Sequence, residues 1–530
     1  MRAASTTLCP PLALLAPGQA WACTALHDTL AARRFEQLAL ARSEPFALMA
    51  LAGLAVARCA QAVAPHGRRV WIAAGPGNNG GDGLVAAVHL HRAGWAVHVS
   101  LLADPERLPV DARRALQDAH AAGVFIDNAL PETPADLMID ALLGLGQSRP
   151  PAGDLACAVT RLNEGRQSAT VLSVDVPTGL CSDTGRLLGE AAVRAHHTLQ
   201  LLTLQPGLFT GAGRDHAGGI WWSGLNMALD TPASARLTGP DDARLARPFR
   251  RHTDHKGRFG DVWVVGAAAG MQGAGLLAGR SALMAGAGRV LLAALAPDAP
   301  GWDAQAPELM MRPIEALQAS GVLEAATVVC GCGGGAPVRQ ALPTLLSRSA
   351  RLVLDADALN ALAQDPVLPP LLQARAQRGR ATVMTPHPLE AARLLGCSTA
   401  AVQADRLAAA RALVERYGSV VVLKGSGTVI AGPACLPALN STGNARLATA
   451  GSGDVLAGWL GGWWAGHDDQ GSAADQAGLA ARVAAGAVWL HGQAVEPETA
   501  HRTGPQDEAM ATPLTASRLI GAMGYSAAAL

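Results

Sequence analysis

Short apolar runs alternate with helical patterns of ten or more residues along almost the whole chain, the rhythm of parallel sheets flanked by helices. Residues 70–74 read as a strand entering a glycine loop, 84–93 as the helix that follows, and 97–102 as the next strand. Residues 48–53 have a helical pattern, and 137–142 and 170–176 add further strands. Residues 230–248 lack periodicity, are rich in turn formers and read as a linker. The pattern then restarts, with buried strands predicted at 262–266, 289–295, 327–331, 352–355, 382–385 and 420–423. The loops after corresponding strands differ in kind, so the halves are not repeats.

Composition sharpens this picture. A chain of 530 residues suits two larger α/β units, and 50% hydrophobic with 16% charged residues supports sizeable cores. The 42 basic and 42 acidic residues cancel, which removes the usual driving force for gripping nucleic acid. No apolar stretch is long and charge-free enough to predict a membrane span. Near the start, Pro10, Pro11 and Pro17 interrupt the apolar region and the basic end is a single Arg2. The segment therefore reads as a cytoplasmic N-terminus, not a signal peptide. Nine scattered cysteines form no disulfide framework, and Cys330 and Cys332 lack the partners of a zinc site. They read as small core residues in a reducing compartment. Only two basic residues, Lys256 and Lys424, are lysine, and both fall beside glycine turns where a compact ammonium has a use.

The first glycine loop, Gly75-Pro-Gly-Asn-Asn-Gly80-Gly-Asp82-Gly83, formally contains the dinucleotide fingerprint. Yet it also sets Asn78, Asn79 and Asp82 at its mouth, oxygen-bearing side chains that suit a hard cation or a polar ligand. Two more predicted strand ends offer oxygens: Asp140, leading into Gly144-Leu-Gly-Gln-Ser-Arg-Pro150, and Asp175-Val-Pro-Thr178. Open α/β sheets bind ligands at such ends. Later in the chain, Gly451-Ser-Gly-Asp454 heads a helical stretch, so freed amides favour a phosphoryl group and Asp454 can take a proton from a hydroxyl; a plain helix cap is the bland reading. Lys424-Gly-Ser-Gly-Thr428 closes another strand without Walker spacing. His387, between two prolines after a strand, is placed for ligand contact, whereas Asp355 and Asp357 suit either a site or a helix cap.

The motifs Asn78-Asn-Gly-Gly-Asp82, Asp140-Ala-Leu-Leu-Gly144 and Val174-Asp-Val-Pro-Thr-Gly179 resemble the NAD(P)H-hydrate epimerase domain over about the first 230 residues. That resemblance implies a Rossmann-like fold for 1–232 and a potassium ion held by Asn79, Asp140 and Thr178. It assigns the hydrate to Asn78, Asn79, Gly80, Gly81, Asp82, Gly144, Leu145, Gly146, Gln147, Ser148, Arg149, Pro150 and Asp175, with Asp175 a proton-transfer residue. The family usually has serine at the position of Thr178, and relatives often carry a lysine near 108–111, where this chain has none. The motifs His255-Lys-Gly, Asp355-Ala-Asp-Ala-Leu-Asn360, Thr385-Pro-His-Pro, Lys424-Gly and Gly451-Ser-Gly-Asp454 resemble the ribokinase-like, ADP-dependent NAD(P)H-hydrate dehydratase. This implies a second α/β domain at 240–530, each domain having three layers. Hydrate contacts would come from Ala274, Gly333, His387 and the catalytic Asp454. ADP would lie against Lys424, Gly425, Ser426, Gly427, Thr428 and Gly453, with Mg²⁺ bridging its phosphates. Cys332-Gly-Gly stands where relatives tend to have Pro-Gly-Leu. The resemblance thus implies an enzyme acting on NADH and NADPH hydrates, and a cytoplasmic homo-oligomer is the separate expectation. The alternative is a ribokinase-type vitamin-precursor kinase carrying a non-catalytic N-terminal binding module.

Overall fold

The computed structural model describes residues 11–15, 25–132, 135–228, 231–468, 472–496 and 514–530. The chain divides between Ala235 and Arg236 into two compact units.

In the first unit an 8-stranded sheet runs, edge to edge, through Ala13–Leu14, Gly219–Ser223, His197–Leu201, Thr170–Val174, Leu137–Ala141, Arg69–Ala74, Ala96–Leu101 and Phe125–Asp127. All neighbours are parallel except the first pair. The two-residue period of the strands sorts their side chains into two cores. Val70, Ile72, Val97, Val99, Leu137 and Ile139 pack under helices Ala47–Val63, Asn78–Arg92 and Val110–Ala121. Trp71, Ala73, Met138 and Val171 face the other way, onto helix Asp154–Gly165.

The second unit repeats the principle on a larger sheet. Met310–Met311, Arg289–Ala294, Asp261–Gly266, Thr327–Cys330, Arg351–Leu354, Thr382–Met384 and Val420–Leu423 run parallel in that order. The antiparallel strands Val429–Ala431 and Ala438–Leu439 follow, and then Arg236 and Leu237 of the strand Ala235–Leu237. Val262, Val264, Val329, Val353 and Val383 face a core closed by helices Gln272–Met284, Ser452–Ala465, Ala473–Gln493 and Ala516–Ala528.

Three sequence expectations need correction. The glycine loop after residue 74 is short: helix starts at Asn78, so Asn78 to Asp82 form its first turns. The expected linker at 230–248 contains a strand and a helix, Pro240–Ala246, in which buried Ala243 and Ala246 pack against helix Ala473–Gln493. A start signal was present, with Gly239 at the N-cap, proline next and Asp242 closing back on the Gly239 amide at 2.8 Å; residues 229 and 230 lie outside the described part. The cysteines are not uniformly core: Cys59, Cys330 and Cys332 are buried, Cys181 and Cys435 are half-buried, and Cys157 and Cys397 are exposed. Most of the start of the chain lies outside the described residues. Among those described, no helix is long and apolar enough to cross a membrane.

The tightest helix contact in the second unit is made by helix Ser452–Ala465 on helix Gln272–Met284. A Cβ built on Gly458 would stand 2.0 Å from the Ala278 carbonyl oxygen, and backbone cannot yield as a side chain does. Gly458→Val is therefore expected to destabilise the second unit by about 3 kcal/mol or more. Urea unfolding, followed by the fluorescence of buried Trp459, Trp463 and Trp464, measures this.

Candidate functional sites

Parallel strands place all their carboxyl ends on one edge, and each unit assembles a polar cluster there. In the first unit Asp140, with 0% of its surface exposed, sits in the strand Leu137–Ala141. Its Oδ1 accepts from the Thr178 hydroxyl at 2.7 Å and the Leu142 amide at 3.3 Å. Its Oδ2 accepts from Ser173 Oγ and the Thr178 amide, both at 2.9 Å. Burial raises the Asp140 carboxyl above its usual range, while the bonds from Thr178, Ser173 and Leu142 pull the other way. The Leu143 carbonyl lies 3.3 Å from Thr178 Oγ1, so a carboxylate, a hydroxyl and a carbonyl converge. Nearby, a Cβ on Gly144 would stand 3.0 Å from Asp175 Oδ2 and 3.2 Å from Asn79 Oδ1, which puts Asn79, Gly144 and Asp175 together. The buried Asn79 Nδ2 has no hydrogen-bond partner.

Asp175 is held in the left-handed region at φ 67°, and its Oδ2 accepts from the Leu145 amide at 2.7 Å. Its carboxyl is pushed up to about 7, chiefly by burial; the Leu145 bond opposes this and the charge of Glu36 adds to it. Asp82 is also raised well above its ordinary value, by burial first and then by the charges of Asp175 and Glu36. Glu36, on helix Thr29–Ala41, carried no motif to reveal it. Gln147 turns inward, giving Nε2 to the Leu143 carbonyl at 3.1 Å and accepting from the Gly179 amide at 2.7 Å. Ser148, Arg149 and Pro150 are exposed, as is Asn78 at the head of its helix.

The second cluster is built on an ion pair. Lys424 Nζ lies 2.6 Å from Asp355 Oδ1, and the Thr385 hydroxyl donates to the same oxygen at 2.6 Å. Asp355 is only 2% exposed, so the ammonium offsets a charge that burial would otherwise make very costly. Burial alone would lower the Lys424 ammonium, but Asp355 and Glu390 leave it raised overall. Of the two readings of Asp355 and Asp357, the helix cap does not occur. Helix Asp357–Gln364 has Ala356 at its N-cap with no side-chain bond, and Asp357 instead accepts from the Gly335 amide at 2.8 Å.

Helix Ser452–Ala465 points its N-terminus at this pair. Gly451, at φ 89°, is its N-cap, and a Cβ on Gly453 would stand 3.2 Å from Lys424 Nζ. Asp454, in the first turn, groups with Asp355 and Cys332 so that their ligating atoms lie within 4.8 Å of one another. Its carboxyl is pushed up to about 7 by burial first and by the Asp355 charge next, against the pull of Cys332 and Lys424. His491, another residue without a motif, lies with Nε2 3.0 Å from the Ser452 carbonyl; burial holds its ring down to about 4, so it donates there as the neutral form.

The turn after Lys424 is fixed from behind by buried Arg406, which donates to the carbonyls of Leu423 at 3.0 Å and Lys424 at 3.1 Å. Gly425 and Ser426 are exposed, Gly427 is buried, and the Thr428 hydroxyl donates to the Gly425 carbonyl at 3.1 Å. Ala274 and Gly333 adjoin: a Cβ on Gly333 would stand 2.9 Å from that of Ala274. His387 is first of all a helix cap. Its Nδ1 accepts from the amides of Leu389 and Glu390, and its Nε2 lies 3.2 Å from Glu390 Oε1, leaving 45% of the side chain exposed. The expectation that both lysines face a ligand fails for Lys256, which is exposed and precedes the strand Asp261–Gly266. Lys424 follows a strand of the same parallel set, so Lys256 falls at the opposite edge of the sheet.

Two family models match: NAD(P)H-hydrate dehydratase over residues 262–510 and YjeF-related protein N-terminus over 45–207. The bifunctional NAD(P)H-hydrate repair enzyme Nnr of Escherichia coli (strain K12) is 35% identical over 427 residues, 78% of this chain and 80% of that protein. Its counterpart in Vibrio cholerae is 35% identical over 477 residues, 86% and 90% of the two chains. Among solved structures, an ADP/ATP-dependent NAD(P)H-hydrate dehydratase of Bacillus subtilis, co-crystallised with ATP/Mg²⁺, is 26% identical. The likeness covers 56% of this chain and 98% of that one, with a TM-score of 0.42. A ribokinase-like superfamily protein of Enterococcus faecalis is 23% identical over 57% and 98%, with a TM-score of 0.45. Two α/β units, each with acids at the carboxyl edge of a sheet, thus define a two-site enzyme. The chain belongs to the family of bifunctional NAD(P)H-hydrate repair enzymes.

The Asp454 environment predicts a pH effect on stability. An aspartate with an unfolded value of about 4 and a folded value of about 7 binds its proton more tightly when folded. Its contribution is therefore complete below the unfolded value and is lost as pH rises towards 7. Urea unfolding at pH 4.5 and 7.5 should show a smaller loss of stability between the two in Asp454→Asn than in the parent chain. Removing the counter-charge has the opposite signature: Lys424→Met strands Asp355 and should cost about 3–5 kcal/mol at neutral pH.

Proposed function

We propose that repair of hydrated NADH and NADPH runs as two linked reactions. The first unit, 1–232, interconverts the R and S hydrates. The second, 240–530, dehydrates the S form with ADP, giving AMP and phosphate. The observation that carries the second reaction is Asp454 at the head of a glycine-lined helix, with its carboxyl near 7, beside the Lys424–Asp355 pair. A base is most effective when its value lies near working pH.

The substrate's hydroxyl, on carbon 6 of the reduced nicotinamide ring, is a poor leaving group. Asp454 takes the hydroxyl proton as the oxygen attacks the terminal phosphorus of ADP, and the bond to AMP breaks. The ring nitrogen then expels phosphate from carbon 6, and loss of the adjacent proton restores NAD(P)H. The free amides at Gly453 and Asp454 and the Lys424 ammonium lie where charge grows on the transferring group. Lys424 to Thr428 and Gly453 line the nucleotide, while Ala274, Gly333 and His387 receive the hydrate. Mg²⁺ fits as a companion of the nucleotide phosphates, neutralising their charge. The Cys332–Asp355–Asp454 group does not suit it, since thiol is a soft donor and Lys424 already lies against Asp355.

In the first unit Asp175, also near 7, can give and take the hydroxyl proton as the ring nitrogen–carbon 6 bond opens and recloses. Asn78 to Asp82 and Gly144 to Pro150 surround the hydrate. The oxygen donors of Asn79, Asp140 and Thr178 fit a potassium ion, because Asp140 is a fully buried carboxylate with no basic side chain bonded to it among the described residues. Such an ion would supply fixed positive charge at the floor of the site. Free thiols at the described cysteines support a reducing cytoplasm.

Asp454→Asn should lower ADP-dependent NAD(P)H recovery by about 10²-fold or more with the fold retained. Asp175→Asn should stop epimer exchange without touching dehydration of the S form. Absorbance of the reduced ring reads the first and chromatography of the epimers the second. A stable phosphorylated product in place of NAD(P)H would instead identify a small-molecule kinase.

A further inference from the structure

Helix Thr29–Ala41 lies before residue 45, where the first family-model match begins, yet it reaches the first site. Its mounting is rigid. Asp28 caps it through the Ala31 amide at 2.9 Å. Asp183 accepts from the Thr29 amide at 2.7 Å and from its hydroxyl at 2.8 Å, and Phe35 and Ala39 are buried beneath it. Arg33 and Glu36, one turn apart, share a face of this helix.

The Arg33 guanidinium occupies the space where a Cβ on Gly146 would stand, with Cζ 3.2 Å and Nε 3.4 Å from that point. Gly146, at φ 84°, allows this approach, which sets an exposed cation on the loop Gly144 to Pro150. Glu36 bears electrostatically on Asp82 and Asp175 and is itself opposed by Arg33. The mouth is therefore divided, with Asp82, Asp175 and Glu36 on its inner side and Arg33 on its rim. The helix at Asn78 adds a second electropositive feature, since Gly77 caps it without a side chain and its first amides stay free. A hydrated dinucleotide is divided in the same way, into an uncharged ring and anionic phosphates. Carboxylates repel phosphate and a guanidinium binds it through paired N–H groups.

Resting on the epimerase reading above, we propose that Arg33 is the phosphate-binding residue of the first site, orienting the hydrated dinucleotide so that its ring enters towards Asp175. The class of ligand it selects is a phosphorylated nicotinamide nucleotide, over the phosphate-free riboside.

The test uses the full chain and two substrates, NADPH hydrate and hydrated nicotinamide riboside, with epimer exchange followed by chromatography. Arg33→Ala should raise KM for the NADPH hydrate about tenfold with a much smaller change in kcat, and Arg33→Lys should recover part of the loss. Exchange of the riboside should be unaffected, which also shows that the unit is folded. An unchanged KM for the dinucleotide, or an equal loss on both substrates, would overturn the assignment. If the parent chain exchanges neither substrate, the epimerase reading itself fails. Calorimetric titration with NADPH hydrate then reads Arg33 directly: one class of site weakened in Arg33→Ala supports the role, and identical titrations for the two chains remove it.

Discussion

An ammonium and a carboxylate 2.6 Å apart, the carboxylate buried and the ammonium largely so, fix the geometry of the polar edge of the second unit. Asp355 ends one strand and Lys424 another, so their attraction ties together two points of the sheet separated by the strand Thr382–Met384, whose own end supplies Thr385. Taking either charge out of water alone would cost several kcal/mol; together, with the Thr385 hydroxyl, they form a satisfied unit. The helix carrying Asp454 can then approach closely, because small Gly453 faces the ammonium. Asp454 comes to rest beside a negative charge that Lys424 partly offsets: burial and the Asp355 charge push its carboxyl up to about 7 while Cys332 and Lys424 pull the other way.

The first unit handles the same difficulty with no basic side chain bonded to its buried Asp140 among the described residues. Asp140 is satisfied by hydroxyl and amide donors, whereas Asp82, Asp175 and Glu36 are all raised, chiefly by burial, with the charge of Glu36 adding to the shift of the two aspartates. The same residue chemistry thus meets different surroundings: Asp140 is met by several hydrogen-bond donors, whereas Asp175 is met by the Leu145 amide and the charge of Glu36.

What was legible in the sequence followed from local pattern. Central strands such as 70–74 and 420–423 are continuous apolar runs, and the groups that end them announce themselves through adjoining glycines. The strand His197–Leu201 was not legible because Thr198 and Gln200 are polar and fully buried, Thr198 satisfied by the Ala217 carbonyl and Gln200 by Gln205. The segment 235–246 passed for a linker because its strand is three residues long and its helix seven. Asp454 was legible at a helix head, but not that Cys332 and Asp355 would flank it. Arg33, Glu36, Arg406 and His491 lie in ordinary helices far along the chain from the groups they meet, and only the folded topology selects them.

The placement of the two lysines has a practical side. Lys424 is tucked against Asp355, while Lys256 is exposed beyond the far edge of the strands. Reagents that couple to lysine side chains therefore have one readily accessible handle, and it lies at the edge opposite the cluster of Lys424, Asp355 and Asp454. A tether attached there would present every molecule on a solid support in the same sense, with that cluster turned from the surface.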